Sequence, residues 1–145
     1  MWLTQHTDIV IYNPLAGGLF SGKYSTMDQP TEGRFSATAA TTGKMYRERY
    51  FRPAFMSALE QIEPVAKKHD LTLLETALRW CVHHSKLNMK KDEGGNDGII
   101  VGVSSLKQLE GNITDLEKGP LPDEVVQAID KAWEGVGGSC PSYWR

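Results

Sequence analysis

Two short runs, Ile9-Val10-Ile11-Tyr12 and Gly98-Ile99-Ile100-Val101-Gly102-Val103, are the segments of this chain that read as β-strands, and both are apolar at consecutive positions. Consecutive apolar residues put hydrophobic side chains on both faces of a strand, the pattern of a parallel sheet covered on two sides. Helical patterns lie between and after these runs. The order strand, helices, strand, helix, helix points to an α/β fold with parallel strands. Two strands cannot close a barrel or make a well-covered sheet. The pattern therefore predicts strands that need more neighbours than the chain provides.

Helical periodicity starts with Phe55, Leu59, Ile62 and Ala66, and Pro64 is expected to kink this helix or start a new turn. Thr72 and Glu75 form a capping box ahead of Leu74, Ala77, Leu78, Cys81 and Val82, in a helix ending near Ser85. Ser105 and Gln108 cap a third helix carrying Leu106, Leu109, Ile113 and Leu116, which stops at Gly119-Pro120. Pro122 suits the first position of a fourth, with Val125, Val126, Ile129 and Trp133 on one face. From Ser25 to Gly43 the polar, Gly- and Pro-containing sequence reads as a long loop, and loops of that length in compact proteins are usually functional or disordered.

Composition narrows the partners. With 145 residues, 40% of them apolar, the chain can bury a core, and a net charge of −2 from 16 basic and 18 acidic residues gives no footprint for nucleic acid or an anionic membrane. No apolar stretch approaches the roughly 18 residues of a membrane span. The two cysteines, Cys81 and Cys140, make neither a disulfide framework nor a metal-site spacing, and Met1 to Asp8 lack a signal-peptide pattern. A reduced, cytoplasmic protein is expected, in which the Asn112-Ile113-Thr114 sequon is a chance match.

Two segments can carry chemistry, each at the C-terminal end of a strand. Gly17-x4-Gly22-Lys23 matches most of a phosphate-cradling P-loop. Tyr24 stands where that loop needs a magnesium-binding hydroxyl, and no capped helix begins there, so a triphosphatase is not expected. A glycine loop approached by another phosphate or pyrophosphate, or a plain structural turn, both stay open. In Gly102-Val103-Ser104-Ser105-Leu106-Lys107-Gln108, a strand ends at a helix start whose free N–H groups and dipole favour an anion. Lys107 adds charge there, and Gln108 and Asn112 share one face a turn apart. A capped helix with a solvated polar face accounts for the same residues. Gly111 in mid-helix costs roughly 1 kcal/mol relative to alanine, which a close neighbour or ligand would explain.

Tyr12-Asn13-Pro14-Leu15-Ala16-Gly17-Gly18-Leu19-Phe20-Ser21-Gly22-Lys23-Tyr24 resembles the seventh strand and following loop of the aldo-keto reductases, most closely the aflatoxin aldehyde (succinic semialdehyde) reductase subgroup. Gly33-Arg34-Phe35, Met45-Tyr46-Arg47-Glu48-Arg49-Tyr50, Leu78-Arg79-Trp80 with His83-His84-Ser85, the stretch Gly102 to Asn112, and the ending Cys140-Pro141-Ser142-Tyr143-Trp144-Arg145 fit in the same order. The resemblance implies the last two strand–helix units of a (β/α)₈ barrel, a TIM barrel, and NADPH as cofactor at its C-terminal face. It implies that Tyr12 stacks under the nicotinamide and that Gly17, Gly18, Gly22 and Lys23 follow the pyrophosphate. Arg34, Ser104, Ser105, Lys107, Gln108 and Asn112 would hold the adenosine 2′-phosphate end, and an arginine fork, a lysine and a helix terminus suit a phosphate dianion. Arg49 and the terminal Arg145 would reach a small-molecule carbonyl substrate, favouring aldehydes that carry a carboxylate.

The departure from the family pattern is as informative. Its catalytic tyrosine, aspartate, lysine and histidine come from the first half of the barrel, and no residue here matches them. His83 and His84 fall in a helix outside the barrel, where a packing or capping role is expected. Three readings follow: a truncated oxidoreductase, a binding module completed as a homodimer or by a complementing chain, or a biosynthetic protein doing non-redox acid/base work with Asp28, Arg34 or Arg49. About 250 residues is usual for a whole (β/α)₈ barrel, against 145 here.

Overall fold

The computed structural model describes residues 8–140. Strand β1 (Val10–Tyr12) and strand β2 (Gly98–Ile100) pair in parallel, with Val10 opposite Gly98, Ile11 opposite Ile99 and Tyr12 opposite Ile100. Helices α1 (Ala40–Tyr50), α2 (Pro53–Lys68) and α3 (Leu73–His83) form the crossover, and α4 (Leu106–Leu116) and α5 (Asp123–Val136) follow β2. The α/β character and the parallel pairing agree with the sequence pattern.

The two-sided burial of the strands does not. Side chains alternate across a strand, so Val10, Tyr12 and Ile100 share one face, and they are 57%, 52% and 56% exposed. Only the opposite face, with Ile11 and Ile99, is half-buried. β2 is also shorter than its apolar run. Asn13 turns β1 away at φ 60°, so among the described residues no strand lies beside Val101 to Val103.

The larger core lies between the helices. Met56, Leu59 and Ile62 of α2 pack with Leu19, Phe35, Leu73 of α3, and Ala132 and Val136 of α5. A smaller cluster joins Ala66, Leu71, Leu121 and Val125. Helix α2 continues through Pro64, which sits on its exposed side. The face α5 buries is Val125, Ala132 and Val136; Trp133, expected inward, is 60% exposed, one residue beyond the inward Ala132. In α4 the expected apolar stripe is likewise turned outward at Leu106 and Ile113, and the buried residue is Asn112. The close neighbour expected at Gly111 is not found either, since nothing among the described residues lies within 4 Å of a Cβ there.

The capping boxes form in part. Thr72 Oγ1 accepts the Glu75 N–H at 3.0 Å, and Ser105 Oγ accepts that of Gln108 at 3.3 Å. The Glu75 carboxylate turns away from its reciprocal partner to receive Arg79 at 2.7 Å and Lys118 at 3.0 Å. Arg79 also donates to the Gly119 and Pro120 carbonyls, His83 Nε2 donates to the Lys118 carbonyl, and the Leu121 N–H donates to His84 Nε2. Both histidines thus hold the α4–α5 connection, in the packing and capping role expected of them. His84 stays neutral more readily than usual, because partial burial, helped by His83 and Arg79, disfavours its charged form.

Candidate functional site

At the C-terminal end of β1 the backbone is held in unusual conformations. Asn13 (φ 60°) and Ala16 (φ 48°) are left-handed, and Gly17 (φ 71°) and Gly18 (φ 102°) continue the bend through a distorted 3₁₀ turn, Ala16–Ser21. Non-glycine residues rarely adopt such angles, and they persist where surrounding structure holds them. Gly17 meets an additional demand, since a Cβ there would stand 2.5 Å from the Tyr46 ring. Because no α-helix starts at Lys23, the segment lacks the strand–loop–helix form of a P-loop.

This bend, the loop bearing Arg34 and the start of α4 surround an open cleft of about 480 Å³. Of the residues singled out in the sequence, Tyr12, Gly17, Gly18, Lys23, Arg34, Ser104, Gln108 and Asn112 line it. Gly22, Ser105 and Lys107 do not: Gly22 borders a smaller pocket, Ser105 is occupied as the α4 cap, and Lys107 projects from its exposed first turn. Arg49 lies beside the cleft, donating to the Tyr12 hydroxyl at 3.0 Å and stacking over the Tyr12 and Tyr50 rings. Arg145 falls outside the described residues. Asp28 is absent from the lining and closes a local turn with Thr26.

The electrostatics favour an anion. Lys23 and Arg34 place two cations at the lining, and Gln108, in the first turn of α4, borders the same space. Gln108 Oε1 receives the Ser104 N–H at 2.9 Å and the Ser104 hydroxyl at 3.0 Å, tying strand end to helix start. Ser21 Oγ is buried with no hydrogen-bond partner among the described residues, in a residue that lines the cleft. Asn112 is 4% exposed at that lining. An orphaned hydroxyl, a buried amide, two cations and a glycine bend are donors that suit the phosphates of an extended nucleotide. No groups of acidic, His or Cys side chains able to hold a metal occur among the described residues.

Sequence reasoning assigned no role to Asn13, Tyr46 and Tyr50, which the structure makes central. Tyr46 and Tyr50, four residues apart on α1, accept hydrogen bonds from Asn13 Nδ2 at 3.2 and 3.3 Å. Tyr46 also accepts from Arg34 Nη1 at 3.2 Å. Burial pushes the Tyr50 hydroxyl pKa up, and the positive charge of Arg49 opposes that rise. The one signal available beforehand was the i, i+4 spacing of two tyrosines interleaved with arginines.

Comparison with known proteins bears on this geometry. The profile of the Aldo/keto reductase family matches residues 4–134. Aflatoxin B1 aldehyde reductase member 2 from Rattus norvegicus is 40% identical over 142 residues, covering 92% of this chain and 37% of the rat protein. Aldo-keto reductase family 7 member A3 from Homo sapiens is 38% identical over 143 residues, covering 92% of this chain and 41% of its own length. A Pseudocercospora fijiensis aldo-keto reductase is 39% identical over 133 residues, 92% of this chain and 44% of that protein. The chain thus spans about two fifths of the length of the curated relatives it matches.

Proposed function

The chain belongs to the aldo/keto reductase family, and from that premise we propose that it forms the nucleotide-holding part of an NADPH-dependent reductase of aldehydes or ketones. In this reading β1 and β2 are the last two strands of a (β/α)₈ barrel, and the cleft lies at the barrel's C-terminal face. The observation that carries the proposal is that eight of the eleven positions implied by the resemblance line one cleft, together with a Ser21 hydroxyl that has no partner among the described residues.

Tyr12, half-exposed at the end of β1, offers a flat face to a planar ring. The Gly17–Gly18 bend, Ser21 and Lys23 would lie along a pyrophosphate. Arg34, the α4 N-terminus, Gln108 and Asn112 would hold the adenosine end and its phosphate. The cofactor, when bound, supplies the hydride for carbonyl reduction. Arg49, anchored on Tyr12 and Tyr50, would orient a carboxylate-bearing substrate beside that ring. The cysteines Cys81 and Cys140 are free, which suits a reducing compartment such as the cytoplasm.

The proton donor is a different matter. General acid assistance contributes typically about 10²- to 10⁴-fold, and no residue of this chain matches the family's donor set. We expect these residues alone to bind NADPH and to reduce carbonyls poorly or not at all. The exposed face of Val10, Tyr12 and Ile100 supports a companion reading, in which further polypeptide completes the sheet before the site can turn over.

NADPH titration of the purified chain, followed by nucleotide fluorescence or calorimetry, tests the proposal. Saturable binding that is abolished by Arg34→Ala is the expected result. Absence of binding, or binding indifferent to Arg34, would overturn it.

A further inference from the structure

Arg34 is a long, exposed side chain on a loop, so on its own it would sample many rotamers and point into the cleft only part of the time. Helix α1 removes that freedom. Arg34 Nη1 donates to the Tyr46 hydroxyl at 3.2 Å, and the guanidinium sits 5.0 Å from the Tyr46 ring centre. Tyr46 is itself immobilised: its ring meets Phe35 edge-on at 6.1 Å, its hydroxyl receives Asn13 Nδ2, and Gly17 leaves the room its ring needs. The next residue, Arg47, grips the same loop by donating to the Phe35 and Ser36 carbonyls at 2.7 and 2.8 Å. The remaining N–H groups of Arg34 make no hydrogen bond to described residues, which leaves them available to an anion.

We propose that Tyr46 is a positioning residue that aims the Arg34 guanidinium into the cleft and thereby sets the preference for a nucleotide with a phosphate on its ribose. The inference rests on the cofactor reading above and adds the device behind its selectivity. Tyr46 reaches the ligand only through Arg34, by orienting a cation before the ligand arrives. Its ring stacking and its hydroxyl contribute separately, so Tyr46→Phe removes the hydrogen bonds from Arg34 and Asn13 while keeping the packing against Phe35 and Gly17, and the Arg34→Ala background isolates the share that acts through Arg34.

The test uses adenosine 2′,5′-bisphosphate and adenosine 5′-monophosphate, titrated against wild type, Tyr46→Phe, Arg34→Ala and the double variant, with circular dichroism confirming the fold of each. Tyr46→Phe is expected to weaken the bisphosphate by about 3- to 10-fold, the worth of one net hydrogen bond, and to leave the monophosphate unchanged. On the Arg34→Ala background the same substitution should have no further effect. Equal weakening of both nucleotides, or an undiminished effect without Arg34, would overturn the positioning role while leaving the cofactor reading intact. A wild-type chain that binds both nucleotides alike, or neither, would overturn the cofactor reading and this inference with it.

Discussion

Gly17 and Gly111 are the same residue type under opposite constraints, and they make opposite predictions. Gly17 sits at φ 71° with the Tyr46 ring 2.5 Å from any added Cβ. Gly17→Ala should cost about 1–3 kcal/mol, read as a lower urea midpoint, and should weaken NADPH binding because Tyr46 must move. Gly111 lies inside α4 with open space around it. Gly111→Ala should stabilise by up to about 1 kcal/mol, with binding unchanged. A Gly17→Ala protein as stable as wild type would remove the strain argument. Residues whose role follows from their own neighbours in sequence, such as the capping Thr72 and Ser105, were legible in advance. Tyr46 was not, because its partners Asn13 and Arg34 lie 33 and 12 positions away.

Among the elements, α1 shows why part of the site stayed hidden. Among its described side chains there is no buried apolar stripe; Gly43 is buried, and the inward groups are Tyr46, Arg47 and Tyr50. Periodicity detects apolar faces, so a helix that packs through phenols and a guanidinium looks like loop. Helices α2 and α3, with Leu59, Ile62, Leu78 and Cys81 inward, were legible for the converse reason. The α3 to α5 junction carries its own prediction. The Leu121 N–H can donate to His84 only while that nitrogen is unprotonated. The folded-state pKa is lowered from 6.5, so the folded chain binds fewer protons than the unfolded chain below that value. Stability from this contact is present above about pH 6.5 and is lost as the pH falls through the lower folded value. Denaturation midpoints should therefore decline on acidification across that window, and His84→Gln should flatten the decline. An identical pH slope in wild type and variant would show that His84 does not carry it.

For the whole molecule, helices supply most of the internal packing and the sheet remains open on the face of Val10, Tyr12 and Ile100. An uncovered apolar sheet face is a site for association. The chain is expected to self-associate as its concentration rises, and Val10→Lys with Ile100→Lys should suppress that association in light scattering. Concentration-independent behaviour of the wild type would show that the face is tolerated in water. Legibility divides here too. The α/β class and parallel pairing followed from apolar runs and element order, whereas burial did not, because a strand's sequence records the environment it is suited to and not the neighbours it has.

The loop from Gly22 to Arg34 gives the cleft a reporter of another kind. Lys23 and Arg34 bracket it, both exposed and both at the cleft lining, with exposed chain from Ser25 to Gln29 between them. These are the two bonds in that loop that trypsin recognises. A nucleotide that engages both cations must cover both scissile positions at once, so occupancy becomes legible as a pair of missing cuts. Limited digestion with and without NADPH should show the two cleavages slowing together, at a nucleotide concentration that matches the titration. If only one is slowed, the ligand touches one end of the cleft and does not bridge it.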